Sequence, residues 1–352
     1  MDLFVPGRIC LFGEHSDWAG GYRRVNASLE KGHAILVGTD QGLRARARPH
    51  PDSLLVTSTL TDGSRTPTFE IPMREELLRT EAAEGGFFSY VAGAALQMMR
   101  SFEGIDGIEI DNYATDLPIR KGLSSSAAAC VLVVRACNRL YRLGLSRREE
   151  MELAYQGEIA TPSRCGRLDQ GCAYGSTPVL MVFDGDELSV TELECGGVLF
   201  MLIVDLGATK DTRKILASLH ACYPFASGDR ERIAQEYLGP VNRGITTEAV
   251  EQLAKGDVEE IGRLMTLAQS QFDACLAPLC TSELTAPVLH GLLEDPVVRD
   301  LSFGAKGVGS QGDGSAQILA RTPEARLELA DYLRRKRSMR SLPLTIGGAA
   351  RD

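Results

Sequence analysis

The sequence has no apolar run long enough to cross a bilayer and no excess of basic residues. Its longest apolar runs, residues 127–134 and 198–204, fall far short of the roughly 20 residues that a membrane span needs. The net charge is −9, from 38 Lys and Arg against 47 Asp and Glu. Proteins that bind nucleic acid or anionic membranes carry excess Lys and Arg, so we expect neither partner. The N-terminus has no basic and then apolar leader, and we therefore expect a cytoplasmic protein.

Cysteine pairs with metal-binding spacing are also missing. Nine cysteines are scattered along the chain, with no Cys-x-x-Cys pair and no grouping with histidine. Their odd number, and the apolar neighbours of Cys130, Cys137 and Cys172, favour reduced thiols in a cytoplasm. The same spacing argues against a structural zinc site.

Two common nucleotide-binding motifs are absent or misplaced. No Gly-x-x-x-x-Gly-Lys-Ser/Thr sequence occurs, which excludes an ordinary P-loop. Residues 307–312 (GVGSQG) do fit Gly-x-Gly-x-x-Gly, but a dinucleotide site requires a strand before this motif and a helix after it. The pattern predicts a strand over residues 316–320 instead, so we do not expect a dinucleotide cofactor.

A serine-rich segment is the strongest positive sign of function. Its residues are Gly122, Leu123, Ser124, Ser125, Ser126 and Ala127. Glycine allows a tight turn, and the N-terminus of the apolar helix that follows offers unpaired N–H groups to phosphate, while a hydroxyl can ligate a metal ion. The segment therefore predicts a phosphate-binding loop. A serine cap on an ordinary buried helix is the structural alternative.

Two further segments carry polar groups that function can use. Residues 13–21 (GEHSDWAGG) predict a glycine-flanked loop, followed by a strand near residues 22–25. Residues 146–149 (SRRE) form a capping box, which predicts a helix from Arg147 to about Ala160. Glu158 lies in the last turn of this helix, where a carboxylate faces the negative end of the helix dipole, so we expect a cationic partner for it.

The order of elements predicts an α+β fold with two domains. Short strands dominate up to about Cys195 and helices dominate after it, so we place the domains at residues 1–195 and 196–352. The continuous apolar run at residues 198–204 predicts a strand that is buried on both faces.

Three segments resemble, in order, the three motifs of the GHMP kinase superfamily: residues 6–17, 117–128 and 304–314. The first is most similar to galactokinases, whose loop carries Glu-His-Thr-Asp followed by an aromatic residue and Gly-Gly. The resemblance spans nearly the whole chain. It implies the two-domain GHMP kinase fold, with an N-terminal ribosomal-protein-S5-like mixed-sheet domain and a C-terminal helix-rich α+β domain.

The resemblance also implies roles for single residues. The serine-rich segment wraps the phosphates of ATP, and Ser126 ligates Mg²⁺ together with Glu158. Asp169 matches the catalytic base, and Arg8 matches the arginine beside it. A fixed base contributes about 10²–10⁴-fold to a rate, and a neighbouring arginine favours the charged carboxylate.

Recognition of the acceptor falls, by the same resemblance, to Glu14, His15 and Asp17, together with Asp169. Two carboxylates and an imidazole within four residues supply the hydrogen-bonding groups that a polyol requires. Each residue alone also fits a structural role. His15 fits a structural hydrogen bond, Asp169 a loop cap, and Glu158 an exposed helix position.

Two segments depart from the family's pattern. Residues 310–313 (SQGD) insert polar groups where the third motif usually has glycines and small apolar residues. After Gly21, residues 22–24 (YRR) replace the apolar residues usual in galactokinases. If Arg23 or Arg24 faces the acceptor, a carboxylate or phosphate on that acceptor follows as a hypothesis. Lys306 either contacts a phosphate or is solvated, and the sequence leaves the role of Lys210 undecided in the same way.

We therefore expect an ATP- and Mg²⁺-dependent kinase that phosphorylates a hydroxyl of a monosaccharide or related polyol, with a uronic acid or other anionic sugar as one hypothesis. A mevalonate-type kinase acting on an acyclic alcohol is the second interpretation, and a catalytically silent sugar sensor is the third. Asp17 and the Gly-Gly pair favour a sugar, whereas Ser126, Glu158 and Asp169 together argue against the sensor. The residues single out neither one sugar nor an oligomeric state.

Overall fold

The structure is a computed structural model that describes residues 1–117, 123–163 and 165–348. The strands are β1 (Asp2–Phe12), β2 (Gly32–Pro49), β3 (Ser53–Ser58), β4 (Phe69–Pro72), β5 (Ile108–Thr115), β6 (Val179–Asp184), β7 (Glu187–Glu192), β8 (Leu199–Asp205), β9 (Ser302–Gly307), β10 (Ser315–Ala320) and β11 (Arg340–Ile346). The helices are α1 (Ser16–Gly21), α2 (Glu75–Glu84), α3 (Ser89–Ser101), α4 (Ser125–Leu140), α5 (Arg147–Ile159), α6 (Thr212–His220), α7 (Asp229–Glu236), α8 (Asn242–Lys255), α9 (Val258–Cys275), α10 (Thr281–Leu284), α11 (Pro287–Leu293), α12 (Pro296–Leu301) and α13 (Pro323–Lys336).

The chain forms two compact units. The first comprises Met1–Arg8 and Gly38–Gly175, and the second comprises Ile9–Val37 and the chain from Ser176 onward. The boundary expected at residue 195 therefore lies inside the second unit. The reason is long-range pairing, because β6 pairs with residues 32–36 of β2 and with β7. The change from strand-rich to helix-rich sequence, which placed the boundary at residue 195, does not reveal such pairing.

The first unit has a sheet in the order β4-β3-β5-β2, to which β2 contributes residues 43–49. Strands β3 and β5 are parallel, and the other neighbours are antiparallel. Helix α3 packs against α4 and α5. A Cβ at Gly93 of α3 would lie 2.2 Å from the carbonyl oxygen of Gly157 in α5, so glycine is what allows these two helices to touch.

Helices α4 and α5 agree with the sequence prediction. Helix α4 is apolar on most sides, and its residues 130–137 are all buried. The predicted capping box of α5 is present, since the Ser146 hydroxyl accepts from the Glu149 backbone and the Glu149 carboxylate accepts from the Ser146 backbone. The first turn of α5 is therefore satisfied by its own side chains.

The second unit has an antiparallel sheet in the order β11-β8-β10-β9. Residues 201–204 of β8 are all buried, as the apolar run predicts. Leu329 and Leu333 of α13 belong to the core that forms against this sheet. Across the described residues, no helix is both long enough and apolar enough to span a membrane.

The segment predicted as a loop and then a strand, residues 13–25, is mostly helical, so this prediction is wrong. It forms α1 and a short 3-10 turn at Tyr22–Arg24. The glycines that indicated a loop instead permit close packing, because a Cβ at Gly20 would lie 2.6 Å from the Phe183 carbonyl oxygen of β6 and 2.6 Å from the Gly32 backbone nitrogen. Helix α1 therefore depends on tertiary packing, and the local sequence alone does not predict it.

A buried ion pair supports the short 3-10 turn Asp169–Tyr174 of the first unit. Arg135 of α4 and Glu150 of α5 lie 2.8 Å apart, and their side chains are 10% and 6% exposed. Arg135 also donates to the carbonyl oxygen of Ala173 at 2.6 Å, which links the pair to the turn. A buried charge that loses its partner is costly, so each member depends on the other.

Removing this carboxylate should destabilise the protein strongly. We expect Glu150→Ala to lower the free energy of unfolding by about 3–5 kcal/mol, because Arg135 is then a buried charge without its carboxylate. The control is Glu109→Ala, which removes the partner of the exposed Arg48 and should cost less than about 1 kcal/mol. Urea denaturation measures both variants, and equal losses would contradict the role given to the buried pair.

Candidate active site

The first unit contains a cavity of about 750 Å³, a size typical of small-molecule sites. Its apolar lining includes Val56, Leu60, Phe87, Phe88 and Leu132. Its polar lining includes Arg8, Ser124, Ser125, Ser126, Glu158 and Asp169. Residues from four separate parts of the sequence therefore share one cavity.

Asp169 is the centre of the polar lining. It begins the turn that Arg135 supports, and its side chain is 25% exposed. Its Oδ1 accepts hydrogen bonds from the Arg8 guanidinium and from the Ser124 hydroxyl. Arg8 is 8% exposed, and its backbone N–H donates to the Leu123 carbonyl at 3.1 Å, which ties β1 to the start of the serine-rich segment. Asp169 is thus held by a cation and a hydroxyl, and does not act as a loop cap through its side chain.

Ser124 departs from the expected helix cap. It is the residue before α4, but its backbone is left-handed, with φ of 55°, and its hydroxyl makes no cap hydrogen bond. The hydroxyl bonds Asp169 instead. A left-handed backbone at a residue other than glycine costs on the order of 1–3 kcal/mol, and such strain is concentrated at functional sites. The first N–H groups of α4 therefore remain available for another acceptor.

The rest of the serine-rich segment divides between the core and the cavity. Leu123 and Ala127 are buried in the core, so only their backbone groups can meet a ligand. Ser125 and Ser126 line the cavity. Gly122, the first residue of the predicted loop, lies outside the described residues.

Glu158 is buried rather than on the helix surface, with 1% exposure. Its Oε2 accepts from the Gln170 amide at 2.6 Å, and its carboxylate also accepts from the Ser126 hydroxyl. Burial raises the pKa of Glu158, and the negative charge of Asp169 raises it further. Gln170 is a site residue that the sequence did not assign, and its only signal was its position directly after Asp169.

The donor set around Glu158 bears on the predicted magnesium site. Within the described residues, no group of three or more His, Cys, Asp and Glu side chains can hold a metal ion by itself. Ser126 and Glu158 nevertheless offer a hydroxyl and a carboxylate that contact each other. Mg²⁺ typically takes one or two protein oxygens and completes its shell with phosphate and water. These two residues therefore fit a metal that arrives with a nucleotide.

Aromatic rings form part of the apolar lining. Phe87 and Phe88 meet edge to face with ring centres 4.9 Å apart, and Phe88 stacks on Phe69 at 4.6 Å. Phe87 is 54% exposed, which leaves its ring open to a ligand. Flat rings of this kind suit a planar heterocycle. The sequence analysis missed this feature, whose signal is the FF pair after Gly85 and Gly86.

In the second unit, Glu14 forms a buried ion pair with Lys306 of β9. Their side chains are 8% and 2% exposed, and the Lys306 ammonium also donates to the Gly307 carbonyl at 3.3 Å. Lys306 is therefore neither solvated nor available as a separate cation. Asp17 lies in the first turn of α1 and is partly exposed.

His15 of the second unit is buried and neutral. It has a left-handed backbone, with φ of 71°, and 7% exposure. Its Nδ1 accepts from the Trp18 indole at 3.2 Å, which assigns the proton to Nε2. Burial, followed by the charge of Lys210, lowers the pKa of His15 to about 3. Its Nε2 is buried and has no hydrogen-bond partner in the described part of the chain.

The two arginines that motivated an anionic acceptor are engaged elsewhere in the second unit. Arg23 donates to Asp184 at 2.5 Å and to the carbonyl oxygens of Ala27 and Leu29. Arg24 is largely exposed and lies 3.5 Å from Asp186. The contacts of Arg23 and Arg24 therefore do not support the hypothesis that either arginine faces an anionic acceptor.

The third motif, residues 304–314, comprises the end of β9 and the loop between β9 and β10. No helix follows it, as expected, so the dinucleotide pattern at residues 307–312 has no dinucleotide fold around it. Gly309 and Gly312 have φ of 65° and 70°, which explains glycine at both positions. The polar insertion is structural in part, because Asp313 accepts from the Leu289 backbone at 2.8 Å.

Known proteins with similar sequences include galactokinases and mevalonate kinases. Residues 89–176 match the family described as GHMP kinases N terminal domain. Galactokinase of Pyrococcus furiosus is 23% identical over 75% of this chain and 74% of its own. Mevalonate kinase of Thermococcus sibiricus is 24% identical over 94% of this chain and 91% of its own.

A solved structure extends the likeness to the fold. The crystal structure of Lactococcus lactis galactokinase in complex with galactose aligns with a TM-score of 0.72 at 18% identity, covering 99% of this chain and 93% of its own. The predicted α+β fold is thereby confirmed, and kinases among the relatives support a kinase role. The segment 89–176 contains α3, α4, α5 and Asp169, and so most of the polar lining of the cavity. Residues 89–176 thus match the N-terminal domain of the GHMP kinases, and the chain has the GHMP kinase fold.

Proposed function

We propose that this protein is an ATP-dependent kinase that transfers a phosphoryl group to a hydroxyl of a small molecule. The observation that carries the proposal is the contact of Asp169 with Arg8 and Ser124 in a cavity that also has an apolar, aromatic lining. Phosphoryl transfer requires positioning, cationic groups around the transferred phosphoryl, and a carboxylate that receives the hydroxyl proton. The cavity offers each of these from the chain's own residues.

Asp169 is the proton acceptor in this proposal. Arg8 and Ser124 both contact Oδ1, so we assign the other carboxylate oxygen, Oδ2, to the acceptor hydroxyl. The Arg8 guanidinium holds the carboxylate in place and keeps positive charge beside it. When bound, ATP supplies the phosphoryl group and Mg²⁺ offsets its charge. Ser125, Ser126 and the first N–H groups of α4 orient the phosphates.

We further propose that the acceptor is a monosaccharide, a related polyol or an acyclic hydroxy compound. The resemblance of residues 6–17 to galactokinases supports the first two, with Glu14, His15 and Asp17 as the acceptor-binding residues. The mevalonate kinase relative supports the third, because its similarity extends over 94% of this chain. A sensor without catalysis is disfavoured, since Asp169, Glu158 and Ser126 line the cavity together.

Replacing Asp169 separates catalysis from nucleotide binding. We expect Asp169→Asn to lower kcat by about 10²–10⁴-fold, because the amide cannot take up the hydroxyl proton. The affinity for ATP, measured by calorimetry, should change little. Asp106→Asn, on an exposed loop of the same unit, is the control and should retain full activity. Equal losses of turnover and ATP affinity would mean that Asp169 is structural.

Filling the cavity should block ATP binding. Ala129 lies on α4 and lines the cavity, so we expect Ala129→Phe to occupy the space that the nucleotide needs. The rise in melting temperature that MgATP gives to the wild type should disappear in this variant, because only the folded state binds the ligand. Ala129→Ser is the control that keeps the space open. An undiminished MgATP shift in Ala129→Phe would place the nucleotide elsewhere.

The pH dependence of stability tests whether the buried carboxylate of Glu158 destabilises the folded protein. Because burial raises the pKa of Glu158 above its usual 4.5, the folded state binds a proton more readily than the unfolded state. The wild type should therefore gain stability relative to Glu158→Gln as the pH falls from about 8 toward about 5. Melting temperatures measure this difference without nucleotide. A difference that moves the other way would mean that the folded protein favours the charged carboxylate.

A further inference from the structure

Gly307, the last residue of β9, is anchored by a side chain of helix α9. Strand β9 lies at the edge of its sheet, so N–H groups that point away from β10 need an acceptor from outside the sheet. The Gly307 N–H donates to Oε1 of Gln269 at 2.7 Å, and Gln269 is buried. Because a buried backbone donor requires an acceptor, the position of Gly307 depends on the orientation of this amide.

Helix α9 can reach the edge strand because glycines bring the two backbones together. A Cβ at Gly304 of β9 would lie 1.9 Å from the carbonyl oxygen of Gly262 in α9. Gln269 comes seven residues after Gly262, which is about two helical turns, so its side chain lies on the same face of the helix. Asp273 follows one turn later on that face.

The amide of Gln269 is held in turn by Asp273 and by His290 of α11. Gln269 Nε2 donates to Asp273 Oδ1 at 2.9 Å, which leaves its oxygen to face β9. The other carboxylate oxygen, Oδ2, lies 3.0 Å from His290 Nε2. The Nδ1 of His290 lies 2.9 Å from the carbonyl oxygens of both Thr285 and Ala286. One chain of hydrogen bonds therefore runs from the histidine to the end of β9.

The contacts of His290 require a charged ring. Both ring nitrogens face oxygen acceptors, whereas a neutral imidazole can donate from only one nitrogen. Burial lowers the pKa of His290, but the hydrogen bonds to Asp273 and to the Ala286 carbonyl outweigh burial and raise the pKa above its ordinary 6.5. The charged side chains on the segments around α11 are Asp273, Lys306, Asp313, Arg299, and Arg337 with its partner Asp295. Of these, Asp273 contacts the ring.

The other end of the chain leads to the ion pair of Glu14. The Lys306 ammonium donates both to the Gly307 carbonyl, at 3.3 Å, and to the Glu14 carboxylate. Both members of this pair are buried, so neither can follow a displaced backbone by moving into solvent. A shift at Gly307 is therefore passed on to Glu14.

We propose that His290 is a positioning residue, which acts through this chain of hydrogen bonds to fix Gly307 and, with it, the ion pair of Glu14. The proposal rests on the proposed kinase function, in which Glu14 binds the acceptor. When the imidazole loses its proton, one ring nitrogen presents a lone pair to an oxygen, and the Asp273 carboxylate loses its cation. The Gln269 amide is then no longer held, and the acceptor is bound less tightly.

Hydrogen exchange of the ligand-free protein tests the chain of contacts. Because the folded state raises the pKa of His290, the contribution of the charged ring is present below about pH 6.5 and lost as the pH rises through the raised pKa. Peptides over residues 302–309, corrected for intrinsic exchange rates, should therefore lose protection between about pH 6 and about pH 9. At about pH 6, His290→Ala should exchange there about 2–10-fold faster, as expected for a lost hydrogen bond.

Two controls isolate the charge of the ring from the fold. In His290→Gln the amide can donate to Asp273 but never carries a charge, so protection of residues 302–309 should not change with pH. His50→Gln replaces a histidine that lies 3.6 Å from Asp52 in the first unit, and it should leave these peptides as in the wild type. Peptides over residues 199–205, in the central strand β8, should be unaffected in every variant.

Steady-state kinetics separates positioning from loss of folded protein. ADP release is measured with galactose and with mevalonate. For whichever compound is phosphorylated, His290→Ala should raise the acceptor KM by about 3–10-fold and leave the KM for ATP within about twofold, because only acceptor contacts are loosened. The wild-type acceptor KM should rise with pH above about 6.5, and that of His290→Gln should not. Loss of folded enzyme alone would lower kcat and leave KM unchanged.

The outcomes decide between the two roles. Unchanged exchange over residues 302–309 in His290→Ala would overturn the proposal, and so would equal acceleration over residues 199–205, which indicates general destabilisation. Faster exchange with an unchanged acceptor KM would show that the contact is purely structural. If neither compound releases ADP, the proposed kinase function fails for both acceptors, while the exchange data still decide whether His290 fixes Gly307. If His290→Ala does not fold, the pH profiles of the wild type and His290→Gln carry the test.

Discussion

The contact of Asp169 with Arg8 and Ser124 is the interaction on which the candidate site depends. It joins the first strand, the residue before α4 and the turn after α5, three segments that are far apart in the chain. A carboxylate is held by a guanidinium and a hydroxyl while a quarter of its side chain stays exposed. Neighbouring residues hold Asp169 in this position. Arg135 and Glu150 support the turn, and the left-handed backbone of Ser124 turns its hydroxyl toward Asp169.

Both units hold charged groups in unfavourable surroundings. In the first unit, Glu158 is buried beside the charge of Asp169, which raises its pKa. In the second unit, Lys210 keeps a partly buried charge without a carboxylate partner among the described residues. Groups of this kind lower the stability of the empty protein and are found where a ligand later compensates them. A cation beside Glu158 would remove such a cost.

Much of the first unit could be predicted from the sequence because its signals are local. The capping box at Ser146 and the apolar run of α4 each specify an element within a few residues. The ordered motifs also pointed to Arg8, Glu158 and Asp169 as one site, which no local pattern would have joined. The helical state of residues 16–21 was missed, because it depends on Gly20 packing against the backbone of β6. The contact of Gln170 with Glu158 and the ion pair of Glu14 with Lys306 could not be predicted, because each joins residues that are far apart in the sequence. The surroundings of Lys210 likewise depend on the fold.

Hydrogen exchange with a non-hydrolysable ATP analogue and Mg²⁺ tests most directly whether the cavity of the first unit is the nucleotide site. We expect slower exchange in peptides that cover residues 123–130 and 165–174, because bound phosphates engage the first N–H groups of α4 and order the neighbouring turn. Peptides over residues 257–270 of the second unit should be unchanged. Protection at residues 257–270 without protection at residues 123–130 would contradict the assignment of the cavity and, with it, the proposed chemistry of Asp169.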